Sequence, residues 1–397
     1  MHEVASPQEI TLLIFSDDWG RHPSSCQHLT RRLLRQHPVI WVNTIGTRAP
    51  RLDLATARRV LQKLGDWFRA RKSAALTPPG LTVLSPRMWP WFRSNLDRRL
   101  NRALLQRQLE PVIHGCRTPV VAVTTVPIVA DLIGTLPVSR WVYYCVDDFS
   151  KWPGLDQEPL DRMERQLVAR VDELIAVSEA LRQRLADMGR ESHLLTHGVD
   201  LELWSRRDIL ALPQLRQNQR PLIIFWGMVD RRLDTSLLKK LSEDLTEGTI
   251  VLVGPEQDPD PVLREMSRVV RLPAMSFDQL PALAQEAAVL IMPYADLPVT
   301  RAMQPLKLKE YLATDRPVVV ADLPSTRPWT AALDLVRTPE EFSDAVRLRV
   351  QSGLPSSQRA ARAGLVSESW TAKSAAFERL ILGLEHELPT AAARVRV

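Results

Sequence analysis

The sequence predicts an α/β protein built as two doubly wound, parallel-sheet domains. Three observations carry that expectation. At 397 residues the chain is long enough for two domains of ordinary size. Short runs rich in β-branched residues alternate with helical stretches about every 20 to 40 residues, the rhythm of doubly wound sheets. A polar, proline-containing piece, 205–220, separates two such series and reads as a linker.

Composition sets the outer limits. The hydrophobic fraction of 45% and charged fraction of 25% are those of an ordinary globular protein. Three cysteines, Cys26, Cys116 and Cys145, form no C-x-x-C pair, which argues for a reducing compartment and against a disulfide frame or a zinc site; no metal is expected. The opening MHEVASPQEI lacks a basic n-region and an apolar core, so no signal peptide is expected and the location reads as cytoplasmic. The apolar window 119–138 is broken by prolines, threonines and Asp131 and reads as buried strand and helix, not a membrane span.

Charge is unevenly placed. Between Arg48 and Arg107 fourteen Lys and Arg stand against three acids, a local excess of +11 in a chain of net charge +6. Within it, Leu54, Val60, Leu61, Leu64, Trp67 and Phe68 share a helical stripe flanked by Arg69 and other cations. A second cluster joins Trp89, Trp91 and Arg93. Aromatic and basic residues so mixed suit an interfacial helix on an anionic membrane. The competing reading is a helix packed on the core with a basic outer face. No nucleic-acid motif accompanies the charge, and no nucleic-acid partner is expected.

In chain order, 11–16 (TLLIFS) reads as the first strand, followed by Asp17-Asp18-Trp19-Gly20 at its carboxyl end, where open sheets place ligands. A helix over 24–36 and a strand over 39–42 follow. PVVAVTT, WVYYCV and ELIAVS are further strands, with helices over 159–171 and 179–188. WVYYCV runs into Asp147 and Asp148. Adjacent carboxylates at a strand end can raise one another's pKa, so either is a candidate general base; alternatively they cap the next helix. HGVD, 197–200, closes the half, with Gly198 read as a tight turn. The second series opens with PLIIFW and Gly227, then a loop bearing Arg231 and Arg232, and continues through TIVLVG, 269–272 and VLIMPY. The loop 300–304 leads into PLKLKEYLATDRPVVV, 305–320. There Pro305 suits the first helical position, Lys307 and Glu310 lie three apart on one helical face, and DRP ends the helix before a buried strand. A lysine at a helix start with a carboxylate one turn on can cradle a nucleotide diphosphate and its ribose, or can be an ordinary solvated face.

That last string resembles the signature of GT-B glycosyltransferases of the family-4 kind, P-x-K-x-x-E-Y-x-A followed by P-V-V. ELIAVS, the paired aspartates and HGVD are similar to other landmarks of that group. The resemblance implies two Rossmann-like domains facing a cleft, 1–204 for the acceptor and 221–369 for the donor, with 370–397 forming a C-terminal helix that returns to the first domain and a tail. It implies transfer of a sugar from a nucleotide-sugar, a UDP-sugar first, to a cell-surface polysaccharide or lipid-linked glycan, with no cofactor beyond that substrate. By it Lys307 meets the diphosphate and Glu310 the ribose. Gly227, Arg231, Met275, Thr300 and Gln304 fall on the donor side, and Asp17, Asp18 and His28 on the acceptor side. A second glutamate that meets the donor sugar in many relatives is here Ala302. A nucleotide-sugar epimerase of the same fold and a non-catalytic glycan- or membrane-binding scaffold are the competing expectations.

Overall fold

The computed structural model describes residues 9–20, 24–44, 78–149, 151, 156–206 and 212–384. The chain divides into two compact units, 1–195 with 374–397, and 196–373. The stripe bearing Trp67, Phe68 and Arg69 lies outside the described residues.

In the first unit seven strands make one parallel sheet: β1 (Thr11–Ser16), β2 (Val39–Asn43), β3 (Leu81–Leu84), β4 (Val120–Thr124), β5 (Arg140–Cys145), β6 (Glu173–Ala176) and β7 (His193–Leu194). Their order is β3-β2-β1-β4-β5-β6-β7, so the winding reverses between β1 and β4. The central strands are buried, apart from Arg140 at the start of β5, which is why they read as continuous apolar runs. The chain's final helix, Trp370–Leu382, begins in the second unit and ends in this one. There Phe377 packs tilted against Tyr144 at 5.2 Å, and Glu378 meets the buried His37 at 2.8 Å.

The second unit holds a six-stranded parallel sheet ordered β12-β10-β8-β13-β14-β15. Its strands are β8 (Leu222–Trp226), β10 (Thr249–Val253), β12 (Val269–Leu272), β13 (Val289–Met292), β14 (Val318–Ala321) and β15 (Asp334–Val336). The short β9 (Val229–Asp230) and β11 (Glu256–Gln257) pair separately. Here the winding reverses between β8 and β13. Leu212 and Leu215, from the piece read as a linker, are buried in this unit's core.

Several local expectations are corrected. Trp89, Trp91 and Arg93 do not lie on a helix: residues 85–90 are irregular, and a 20-residue helix, Asn95–His114, starts only after Ser94 and Asp97 form a capping box. The 300–304 segment is not all loop, since Pro298–Ala302 is a short helix. Pro305 caps the signature helix, Leu306–Leu312, instead of opening it. Gly198 does not take a left-handed turn. It is required because a Cβ there would stand 2.6 Å from the Trp370 ring.

Candidate nucleotide-sugar site

Open parallel sheets bind ligands beyond the carboxyl ends of their strands, where the winding reverses. In the second unit that place is formed by Gly227 after β8 and Tyr294 after β13, and Lys307 reaches into it. Its Nζ donates to the Tyr294 hydroxyl at 2.5 Å and stands over the rings of Phe225 at 4.5 Å and Tyr294 at 5.0 Å. Two aromatic faces and a phenol orient the ammonium without neutralising it. Among the described residues no carboxylate lies within ion-pair distance of it. Gly227 makes the room: at φ +137°, a Cβ there would lie 2.0 Å from the Lys307 Nζ. Gly254, at φ +154°, ends β10 so close that its Cβ would lie 1.8 Å from the Gly227 carbonyl oxygen. Three strand ends converge here, and the Lys307 side chain enters the space that Gly227 leaves.

One turn along the helix, the Glu310 carboxylate accepts from Trp226 Nε1 at 3.3 Å. Burial pushes this carboxyl up to about 7, against the Trp226 hydrogen bond and the charge of Lys307. Tyr311 faces the other way into the core, where its hydroxyl accepts from the Trp226 backbone N–H at 3.1 Å. The signature segment therefore turns Lys307 and Glu310 to the strand ends and Leu308, Tyr311 and Leu312 to the interior.

The remaining donor-side candidates sit as follows. Arg231 turns outward to Asp258 and Asp260 at 3.5 and 3.6 Å. Its neighbour Arg232 pairs with Asp230 and lies 5.8 Å over the Tyr294 ring, and so joins the Lys307 cluster where Arg231 does not. Thr300 is fully buried, and its hydroxyl is taken up by Leu297 within its own turn. Met275 follows β12 and is half-buried, with Gln214 Nε2 at 3.9 Å from its sulfur. Gln304 is half-exposed just ahead of Pro305.

In the first unit, Asp17 and Asp18 follow β1 at that sheet's reversal. The loop is held by Gln27, a buried residue that sequence reasoning missed. Its amide donates to the Asp17 carboxylate at 3.1 Å and to the Asp18 carbonyl at 3.3 Å, and accepts from the Gly20 N–H at 3.1 Å. Ser16 and Ser24 also donate to Asp17, at 2.9 and 3.1 Å. His28 is buried one position further along the same helix.

Asp147 and Asp148, after β5, differ sharply. Asp148 is buried and lies 3.1 Å from Lys151 and 3.5 Å from Arg184. Arg184 also grips Glu164 at 2.7 Å and Asp161 at 2.9 Å, and Tyr143 donates to Glu164 at 2.8 Å. Asp148 thus belongs to a packed ionic network, while Asp147 is half-exposed. No group of three or more His, Cys, Asp or Glu with metal-holding geometry occurs among the described residues.

No protein-family model matches the chain. A sequence relative, TuaH of Bacillus subtilis, provisionally described as a teichuronic acid biosynthesis glycosyltransferase, is 28% identical over 174 residues. That match takes in 41% of this chain, which spans less than half, 43%, of the relative's length. Among solved structures, HepE of Anabaena in complex with UDP superposes with a TM-score of 0.65 at 13% identity, over 95% of this chain and 100% of that one. Sucrose-phosphate synthase of Thermosynechococcus elongatus does so with a TM-score of 0.68 at 13% identity, over 95% and 99%. An E. coli protein bound with UDP-2-fluoro glucose gives 0.66 at 14%, over 94% and 98%. With two parallel Rossmann-like sheets and these neighbours, the chain has the GT-B fold of glycosyltransferases.

Proposed function

We propose that the chain is a glycosyltransferase that moves a sugar from a UDP-sugar to a cell-surface polysaccharide or a lipid-linked glycan. One observation carries this reading. Lys307 presents an ammonium, unpaired with any described carboxylate, at the bare backbone of Gly227, and Glu310 follows one turn later. A scaffold has no use for that arrangement.

In the reaction an acceptor hydroxyl attacks the anomeric carbon, the bond from that carbon to the diphosphate oxygen breaks, and charge builds on the departing UDP. Lys307 offsets that charge where burial makes electrostatics strong, with Arg232 as its neighbour at Tyr294. Glu310 accepts from the ribose hydroxyls. Asp147 takes the acceptor proton if the anomeric centre inverts. Asp148 has a different part, holding the β5 loop through Arg184. Asp17 and Asp18, on a loop locked by Gln27, serve the acceptor. The uridine assignment draws support from HepE and the E. coli protein, both solved with uridine nucleotides.

A titration of UDP, GDP, ADP and dTDP against thermal stability, on wild type and Glu310→Ala, tests the donor reading, because a ligand of the folded state must raise its melting temperature. Stabilisation of wild type by UDP alone, lost in the variant, is the expected result. No shift with any nucleotide overturns it. UDP-sugar turnover without an acceptor, giving an epimeric sugar, would favour the epimerase.

The reading extends to work at the inner face of a membrane. No helix among the described residues is long and apolar enough to cross one. Trp89, Leu96 and Leu100 are 40%, 75% and 43% exposed, with Arg99 and Arg102 beside them. Arg93 and Arg98 are instead paired with Asp156 and Asp131. Flotation with phosphatidylglycerol vesicles, reduced in a Trp89→Ala, Leu96→Ala, Leu100→Ala variant, is expected; unchanged flotation removes this surface from the proposal.

A further inference from the structure

Trp226 is the last residue of β8, and its side chain and backbone both engage the signature helix. Its indole Nε1–H donates to Glu310 at 3.3 Å, and its backbone N–H donates to the Tyr311 hydroxyl at 3.1 Å. The indole lies parallel to Trp204 at 5.4 Å with 4° between planes, and edge-on to Tyr311 at 4.3 Å. Phe277 meets Trp204 edge-on at 5.8 Å. The indole is therefore wedged, 3% exposed, with no freedom to swing its N–H elsewhere. Its one side-chain donor points at the Glu310 carboxylate.

We propose that Trp226 is a positioning residue for Glu310, fixing the carboxylate so that the site tells a ribose from a deoxyribose. The inference rests on the donor reading above and adds to it the residue that sets this discrimination. A carboxylate held by one neutral donor keeps acceptor capacity for a vicinal diol. Without that donor it has a range of rotamers and is aimed less well, and the loss falls on ligands that carry the diol.

The experiment is calorimetric titration of the full chain with UDP and with 2′-deoxy-UDP, for wild type, Trp226→Phe, Trp204→Phe and Glu310→Ala. Trp226→Phe keeps an aromatic ring against Trp204 and removes the N–H. Wild type is expected to favour UDP about tenfold, the scale of one hydrogen bond to a charged group. Trp226→Phe should lose most of that preference while its affinity for 2′-deoxy-UDP stays within about twofold, and Trp204→Phe should retain the preference. If Trp226→Phe weakens both ligands equally, or keeps the full preference, the inference is overturned. If Glu310→Ala loses the preference while Trp226→Phe retains it, the donor reading survives and only the role of Trp226 falls. Wild type that binds neither ligand overturns both. Should Trp226→Phe be poorly folded, site-specific 3-benzothienylalanine at 226, of indole shape without the N–H, carries the same expectation.

Discussion

The Lys307 ammonium occupies the space that a side chain on Gly227 would need, with only 2.0 Å between Nζ and an ideal Cβ. The φ of +137° at Gly227 is also one that residues with a Cβ rarely adopt. Gly227→Ala therefore must displace Lys307, strain the backbone, or both, at a cost of about 1–3 kcal/mol. The effect should concentrate on donor binding: UDP affinity is expected to fall at least about tenfold, as in Lys307→Ala, with far-UV circular dichroism unchanged. If Gly227→Ala binds UDP as well as wild type does, Lys307 does not act from the position seen here.

Glu310 sets a pH dependence with two opposite signs. Its folded pKa of about 7 lies above the ordinary 4.5, so between those values the folded state holds the extra proton and stability falls as pH rises. Above about pH 7 the buried charge is a standing destabilisation. Glu310→Gln is expected to raise the melting temperature at pH 8 and to leave it nearly unchanged at pH 4.5. On the proposed ribose contact, ligand binding has the reverse dependence, because a carboxylate can accept from both ribose hydroxyls: UDP affinity should drop as pH falls below about 7, more steeply in wild type than in Glu310→Gln, where only protonation of the UDP terminal phosphate is left. Titrations at pH 5.5, 7 and 8.5 separate the two, and a wild-type affinity that does not change across them removes Glu310 from the ribose.

Asp147 and Asp148 should part company under conservative substitution. Asp148→Asn leaves Arg184 and Lys151 short of one carboxylate in a buried network, and is expected to lower stability by about 2–4 kcal/mol. Asp147→Asn should move the denaturation midpoint less than Asp148→Asn does and reduce sugar transfer by about 10²–10⁴ if Asp147 is the base. The reverse pattern would reassign the role to Asp148.

What could be read from sequence alone was whatever local rules encode. The buried strands announced themselves as β-branched runs, and the signature helix by Pro305 ahead of it and Asp315-Arg316-Pro317 after it. Lys307 and Glu310 came with it. Their surroundings did not, since Trp226, Tyr294 and Gly254 lie 13 to 84 residues away and meet only through sheet order. Gly198 looked like a turn, but the reason for it is Trp370, invisible until the chain is folded. The Asn95–His114 helix was obscured by the aromatic cluster ahead of it, although Ser94 and Asp97 already marked its start. That Asp148 lies against Arg184, from a later helix, was equally hidden in the sequence.

Lys309, between the two site residues on the signature helix, serves a different purpose. Its side chain is 2% exposed and bonded to Glu368, to the His197 carbonyl and to the Thr196 hydroxyl at 3.0 Å. Lys373 meets Glu368 at 2.9 Å and the same hydroxyl at 2.9 Å. The cluster ties the signature helix to the first and last segments of its unit. Burial holds the Lys309 ammonium down at about 8 despite Glu368, whereas burial fails to raise Glu368, which the two ammonium groups keep below the usual carboxylate range. The cost of breaking the pair should thus be unequal. Glu368→Gln strands a buried cation and is expected to cost about 3 kcal/mol at pH 7, while Lys309→Met leaves Glu368 with Lys373 and costs about 1 kcal/mol. Raising the pH to 9.5 lets the stranded lysine shed its proton, so the Glu368→Gln deficit should shrink there; wild-type Lys309, held down at about 8, is also neutral by then and gains stability that Lys309→Met lacks, so the Lys309→Met deficit should grow. Urea denaturation of both variants at the two pH values checks this, and equal deficits at both would show that burial of Lys309 is not what governs the cluster.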